Sequence, residues 1–239
     1  MMKFFKGFAL AFNMLSIFPF FKIHDFFKGI NGYAVMSYPL VGFILGCILW
    51  GLHAMLMPYF ATIHLNIIIF GMWVLLTGAL HLDGFCDTID GLFVPKEKAL
   101  KVMKDPHIGG MGVIFGVTFL ILKASTLSSF DTFYLLPFIL MLSRFNASLA
   151  IYFYPYISHG MGELAKKEFN LKQLLIISLI VLVFGIWFSS TLLVISLVVL
   201  LAVSKLFIKR YNGFNGDMYG FLIEFSELIL LNTAMVVIT

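Results

Sequence analysis

Residues 63–91 read IHLNIIIFGMWVLLTGALHLDGFCDTIDG, an apolar run with no Lys, Arg, Asp or Glu before Asp83, followed at once by three aspartates, Asp83, Asp87 and Asp90. About 20 apolar residues is the length an α-helix needs to cross a bilayer. The rest of the chain repeats the pattern: 61% of its 239 residues are hydrophobic and only 12% are charged, against about 25% charged in soluble domains. These numbers make the chain all-α and integral to a membrane, because a helix satisfies every backbone polar group within itself.

Apolar windows predict seven spans, over 33–57, 63–82, 110–129, 133–153, 173–189, 191–208 and 218–238. The stretch 4–20 is also apolar, but Pro19 ends it and lysines flank it, so it is expected to be an interfacial or re-entrant helix. No repeat, low-complexity tract or linker interrupts the chain, which is read as one membrane domain over 1–239. Cys47 and Cys86 suggest neither a disulfide framework nor a thiolate metal site, both of which need more thiols at set spacings.

The charged residues then orient the chain. With the N-terminus in the cytoplasm, Lys3, Lys6, Lys22 and Lys28, then Lys96, Lys98, Lys101 and Lys104, then Lys166, Lys167 and Lys172, and finally Lys205, Lys209 and Arg210 all fall on the cytoplasmic side. The opposite loops hold no Lys or Arg, as the positive-inside rule requires. The net charge of +4 therefore reports orientation and calls for a lipid bilayer, not a nucleic acid, as partner.

The chain has only 12 acidic residues, so three within 83–90 need a cause. On a helix Asp83, Asp87 and Asp90 stand at i, i+4 and i+7, separated by about 40° and −60° at 100° per residue. Crowded carboxylates repel unless a cation lies between them, and a hard oxygen set suits Mg²⁺. These three are the expected metal ligands. His81, about 160° off their stripe, is expected to pack or to lie behind the ligands.

Three further features border this motif. In Lys104-Asp105-Pro106-His107-Ile108-Gly109-Gly110-Met111-Gly112, a glycine-rich loop opens the third span. It is read as a phosphate seat formed by Gly109 and Gly110, although glycine alone equally makes a plain turn. Lys123 and Arg144 lie inside spans, where a charge costs at least about 2.5–3.5 kcal/mol on insertion scales. Arg144 is expected to clamp a phosphate oxygen, and Lys123 either joins it or snorkels toward Asp131. Asp217, Glu224 and Glu227 share adjoining stripes of the last span. They are expected to wall a polar substrate cavity or to pair with Arg144 or Arg210.

Together the runs HLDGFCDTIDGLF (81–93), KDPHIGGMGV (104–113), ILKAS (121–125), SRFNAS (143–148) and GFNGDMYGFLIEFSE (213–227) resemble the cobalamin synthase family, the membrane adenosylcobinamide-GDP ribazoletransferases. The resemblance spans nearly the whole chain, including Phe18-Pro19 and the entry Tyr38-Pro39-Leu40-Val41-Gly42. Cys86 and Ile89 stand where the family commonly has small residues, and Ser158 replaces a family arginine in a Pro-Tyr-Ala-Arg context.

The resemblance implies attack by the 5′-hydroxyl of α-ribazole, or of its 5′-phosphate, on the cobinamide-side phosphate of adenosylcobinamide-GDP, with GMP leaving. It implies Mg²⁺ on Asp83, Asp87 and Asp90, with Asp105 orienting or deprotonating the hydroxyl. Lys104 and Arg144 would serve as electrostatic clamps. It further implies a site open to the cytoplasm in a bacterial or archaeal inner membrane, and as partners a second copy of the chain or the late corrinoid-pathway enzymes. The rival is a CDP-alcohol phosphatidyltransferase, whose pattern opens Asp-Gly-x-x-Ala-Arg. Here Asp83-Gly84 continues Phe85-Cys86-Asp87-Thr88 without arginine.

Overall fold

The computed structural model describes residues 2–18 and 27–238, and they form eleven α-helices without a strand. Pro19 and Lys22 lie outside the described residues. The helices are α1 (Met2–Leu15), α2 (Ile30–Leu56), α3 (Thr62–Leu76), α4 (Leu80–Leu92), α5 (Lys96–Val102) and α6 (Gly110–Ser128). After a 3-10 turn (Phe133–Leu135) come α7 (Leu136–Phe153), α8 (Met161–Glu168), α9 (Leu171–Phe188), α10 (Ser190–Tyr211) and α11 (Gly216–Ile238). Among the described residues six helices are long and apolar enough to cross a membrane, seven if the bent pair α3–α4 counts as one.

Helix α7 is the axis of the bundle. Every residue from Leu136 to Ile151 is buried, the polar Ser143, Arg144, Asn146 and Ser148 included, so neighbours surround the helix on all sides. Helix α2 reaches it through Gly42-Phe43-Ile44-Leu45-Gly46. A Cβ added at Gly42 would lie 2.3 Å from the Leu140 carbonyl oxygen, and one at Gly46 would lie 2.3 Å from Pro137 Cα. This small-xxx-small face lets two backbones approach where lipid supplies no hydrophobic drive. On another side of α7, Asn146 donates to the Ser196 carbonyl and to Ser226 Oγ, both at 3.0 Å, and accepts from Ser196 Oγ at 3.1 Å. Such interhelical bonds average about 0.6 kcal/mol each in a membrane, and here they tie α7 to α10 and α11.

The expected second span, 63–82, is not one straight helix. It breaks after Leu76, and α4 leaves at 81° to α3. Gly78 (φ 60°) and Ala79 (φ 54°) both take the left-handed conformation, which ends a helix by turning its last carbonyls outward. The exposed groups are satisfied locally: Thr77 Oγ1 donates back to Trp73 and Val74 carbonyls at 3.2 and 3.1 Å, and the Ile17 amide donates to Leu76 at 2.9 Å. Helix α1, whose 14 residues reach only about 21 Å, is too short to cross alone. It packs on α2, with Gly7 closed onto Tyr33.

Candidate active site

The break delivers α4, with its three aspartates, into the bundle. Phe85 on α4 stacks on Phe221 of α11 (centroids 5.1 Å apart) and meets Phe119 of α6 at 4.4 Å. At the C-terminus of α4, Arg210 Nη2 donates to the Leu92 and Val94 carbonyls at 2.9 and 2.8 Å, and Tyr211 OH donates to Gly91 at 2.9 Å. These are the unpaired carbonyls every helix end leaves. Arg210 therefore fixes α4 and does not pair with the acids of α11. Where α4 crosses α11, a Cβ on Gly84 would sit 3.0 Å from Asp217 backbone atoms, and one on Gly220 would sit 3.0 Å from the His81 carbonyl.

That crossing sets Asp217 beside Asp83 and Asp87. Asp83 is exposed, Asp87 and Asp217 are half-buried, and Asp87 feels the charge of Asp83 and then of Asp217. Among the described residues no ion pair reaches any of the three. The field of Lys104, an exposed residue of the 103–109 loop, does reach Asp217.

Asp90 stands apart from this group. Its buried carboxylate accepts from the Gly109 amide at 2.7 Å and the Gly112 amide at 2.8 Å, which are orphan donors of the first turn of α6. The helix N-terminus expected to seat a substrate phosphate is thus occupied by the protein's own carboxylate. The glycines make room for it, since a Cβ at Gly109 or Gly112 would lie 2.5 or 2.4 Å from an Asp90 oxygen. Gly110 is exposed with open space above it. Asp105, also exposed, accepts from the His107 amide at 3.0 Å and meets His107 Nδ1 at 2.8 Å. The His107 amide first, and its ring second, hold the Asp105 carboxyl below the usual carboxylate range. That makes Asp105 a weaker proton acceptor than an ordinary aspartate.

The remaining expected residues are brought to one another. Lys123 Nζ lies 2.6 Å from Glu224 Oε2 and 2.5 Å from Glu227 Oε2, and 4.2 Å from the Trp73 ring centroid. Arg144 Nη1 pairs with Glu227 Oε1 and donates to Ser143 Oγ at 2.8 Å. Lys123 therefore turns inward and not toward Asp131. Two cations and two anions, all buried, balance in charge and join α6, α7 and α11. Arg144 is fully buried and faces Glu227 in this cluster.

A cavity of about 330 Å³ opens beside the aspartates, bordered by Asp83, Asp217, His81, Tyr38, Tyr156 and Tyr219. Tyr156 belongs to the segment between α7 and α8, held by paired backbone bonds of 2.9 Å (Ile157 to Phe214, Phe214 to Pro155), and its ring stacks on Tyr219 at 6.2 Å and 16°. The motifs carried no signal for Tyr156, and His81 lines the cavity although its offset had placed it behind the ligands.

Comparison with known proteins supplies the family. Residues 7–235 match the family model CobS, cobalamin-5-phosphate synthase. The chain belongs to this family. Relatives named adenosylcobinamide-GDP ribazoletransferase include those of Desulforamulus reducens, 34% identical over 93% of both chains, and of Brevibacillus brevis, 32% identical over 83% of this chain and 85% of the relative. A third, from Thermosynechococcus vestitus, is 33% identical over 81% of this chain and 82% of its own. No solved structure matches. The CobS match takes in α4, the 103–109 loop and α11, so every element of the site lies within it.

The chemistry of the donor set bears on a metal. Among the described residues Asp83, Asp87 and Asp217 offer hard oxygens with no cation paired to them, whereas both oxygens of Asp90 are engaged by amides. Among the described residues no three His, Cys, Asp or Glu side chains converge closely enough to hold an ion as they stand.

Proposed function

We propose that this chain is an adenosylcobinamide-GDP ribazoletransferase that joins the cobinamide-phosphate group to the 5′-hydroxyl of α-ribazole, or of its 5′-phosphate, and releases GMP. The observation that carries the reading is the trio Asp83, Asp87 and Asp217, without an ion-paired cation among the described residues and with Asp83 and Asp217 bordering a cavity, in a chain matched by the family over residues 7–235. Three such carboxylates would repel a diphosphate by themselves, which supports a Mg²⁺ requirement. Asp83 and Asp87 would hold the ion, with Asp217 taking the third place that the sequence assigns to Asp90. When bound, Mg²⁺ supplies neutralisation of the diphosphate and of the charge that develops on the departing GMP.

The chain's own residues divide the remaining work. Lys104 offers a positive charge to the phosphates at the mouth. Asp105 orients the attacking hydroxyl; its depressed pKa suits an acceptor of a hydrogen bond more than of a proton. Asp90 holds the loop carrying both residues against α4. Lys123, Arg144, Glu224 and Glu227 keep α6, α7 and α11 in register and do not touch substrate. The lysine distribution supports a site open to the cytoplasm, where a water-soluble nucleotide-linked corrinoid is found.

Purified protein in detergent should convert adenosylcobinamide-GDP and α-ribazole to adenosylcobalamin with one GMP released per product. EDTA should stop the reaction, and added Mg²⁺ restore it. Consumption of a CDP-linked lipid with release of CMP would favour the phosphatidyltransferase instead. Cobalamin formed with pyrophosphate and no GMP would overturn the reaction.

A further inference from the structure

The cavity beside the aspartates is small, and two of the residues that border it carry a buried polar atom with nothing to bond among the described residues. His81 Nε2 and Tyr219 OH are both without a hydrogen-bond partner, their residues are only 5% and 8% exposed, and both residues line the cavity. A buried polar group left unsatisfied costs about 1–3 kcal/mol, so two of them in residues that border one cavity point to a ligand that reaches them when the side chains turn toward it. Leu15, Ala147, Ile151, Ala165 and Ile223 make up much of the remaining wall. Tyr156 and Tyr219 add stacked aromatic surface.

Size and chemistry together choose among the parts of the two substrates. A volume of about 330 Å³ lies near the lower end of the range for small-molecule pockets, about 300–1,000 Å³. It takes a nucleoside and excludes a corrin ring with its side chains. Two nucleosides take part in the reaction: the acceptor and the guanosine of the donor. With Asp83 and Asp217 taken up at the reacting end, guanine would set more donors and acceptors against the rest of this largely apolar wall than His81 and the tyrosines can satisfy, each surplus atom costing about 1–3 kcal/mol. A bicyclic, mostly apolar base with a single ring-nitrogen acceptor matches the wall and its two unpaired atoms.

We infer that the cavity is the acceptor subsite, in which the heteroaromatic base of the nucleoside is buried between α4, α8 and α11, with its ring nitrogen hydrogen-bonded by His81 or Tyr219. The sugar then extends toward Asp83 and Asp217, which line the same cavity, and the 5′-hydroxyl arrives at the carboxylates. The corrinoid and the guanosine stay outside. Ala165 on α8 and the Tyr156 segment form the outer wall, so these set which bases are accepted. The assignment rests on the ribazoletransferase reading above for the identity of the nucleoside.

The test uses the full-length protein in detergent, with KM determined separately for α-ribazole and for adenosylcobinamide-GDP, and with equilibrium binding of α-ribazole alone by calorimetry. Ala165→Phe, which fills the cavity, should raise the α-ribazole KM and weaken its binding about tenfold or more while leaving the donor KM unchanged. Tyr219→Phe and His81→Leu should lessen the preference for α-ribazole over the isosteric indole riboside, which lacks the ring nitrogen, and His81→Gln should restore part of it. A rise in donor KM with an unchanged acceptor KM would place the guanosine in the cavity and overturn the inference. Equal use of the two ribosides by the wild type and both variants would also overturn it. If no transfer occurs with any acceptor, the ribazoletransferase reading fails. The calorimetry then still decides the cavity: α-ribazole binding lost in Ala165→Phe supports it, and no binding to the wild type refutes it.

Discussion

The start and the middle of α11 carry carboxylates in opposite electrostatic settings. Glu224 and Glu227 meet Lys123 and Arg144 in a buried, charge-balanced cluster. Asp217, at the start of the same helix, faces Asp83 and Asp87 and, among the described residues, no ion-paired cation. Acids that hold helices together are neutralised by the chain itself, because leaving a buried charge unpaired costs several kcal/mol. Those near a solvent-reached cavity can wait for a charge that comes from outside. The contrast separates scaffold from chemistry more sharply than intramembrane position does, since by position alone all of these acids look functional.

The largest effect should come from the uncompensated acids. Asp87→Asn keeps the shape and removes a charge, and activity should fall by at least about 10²-fold, the usual cost of losing one electrostatic contact to the reacting groups. Thermal unfolding without added metal should not worsen, because like-charge repulsion is relieved. Substantial activity in this variant would erase the distinction between the two groups of acids.

In the compensated cluster the signs reverse. Glu227→Gln leaves Arg144 and Lys123 short of their shared partner, and should cost about 3–5 kcal/mol of stability, read as early unfolding and aggregation in detergent. A triple replacement of Lys123, Glu224 and Glu227 by apolar residues of similar volume would still leave Arg144 unpaired, so it should not recover the wild-type melting temperature. Replacing all four should recover much of it.

A third setting sharpens the comparison with a smaller effect. Glu168, at the end of α8, accepts from the Asn31 amide at 2.9 Å and from Asn31 Nδ2 at 2.8 Å, and so compensates its charge with the first turn of α2. Burial pushes its carboxyl up, but the hydrogen bonds of Gly29 and Asn31 outweigh it and the net shift is downward. A carboxyl whose folded pKa is depressed contributes stability above its unfolded pKa, and loses it as pH falls through the folded value. Glu168→Gln should therefore lower stability at neutral pH by about 0.5–2 kcal/mol, as loss of a helix cap does. The gap to the wild type should close on acidification, followed by thermal melts from pH 7 to pH 3.

Much of this architecture is legible in the sequence, because a membrane forces long apolar helices and leaves charges conspicuous. The windows over 110–129, 133–153 and 173–189 end within two residues of the helices observed. The break at Gly78-Ala79 is not legible in the same way: hydropathy stays high through it, and only backbone conformation marks the turn. Asp90 illustrates a second limit. Helical spacing puts it with Asp83 and Asp87, but the packing of α6 decides that its oxygens go to Gly109 and Gly112. Asp217 joins the aspartates of α4 only through the close crossing at Gly84 and Gly220, a contact between residues more than a hundred positions apart. The pairing of Lys123 with Glu224 and Glu227 is likewise tertiary. The GFILG face of α2 carries a readable small-residue spacing, whereas Tyr156 has no local pattern at all.

In the proposed reaction Asp83, Asp87 and Asp217 would hold the cation, while Asp90 serves the loop. Mn²⁺ binding to the detergent-solubilised protein, followed by electron paramagnetic resonance, tests it without any reliance on turnover. Wild type and Asp90→Asn should bind Mn²⁺ with similar affinity, and Asp217→Asn should weaken binding by about 10–100-fold or more, given that loss of even an outer-shell partner of a metal site costs this much. Binding that survives in Asp217→Asn and disappears in Asp90→Asn would contradict the account and return the third place to the helical triplet.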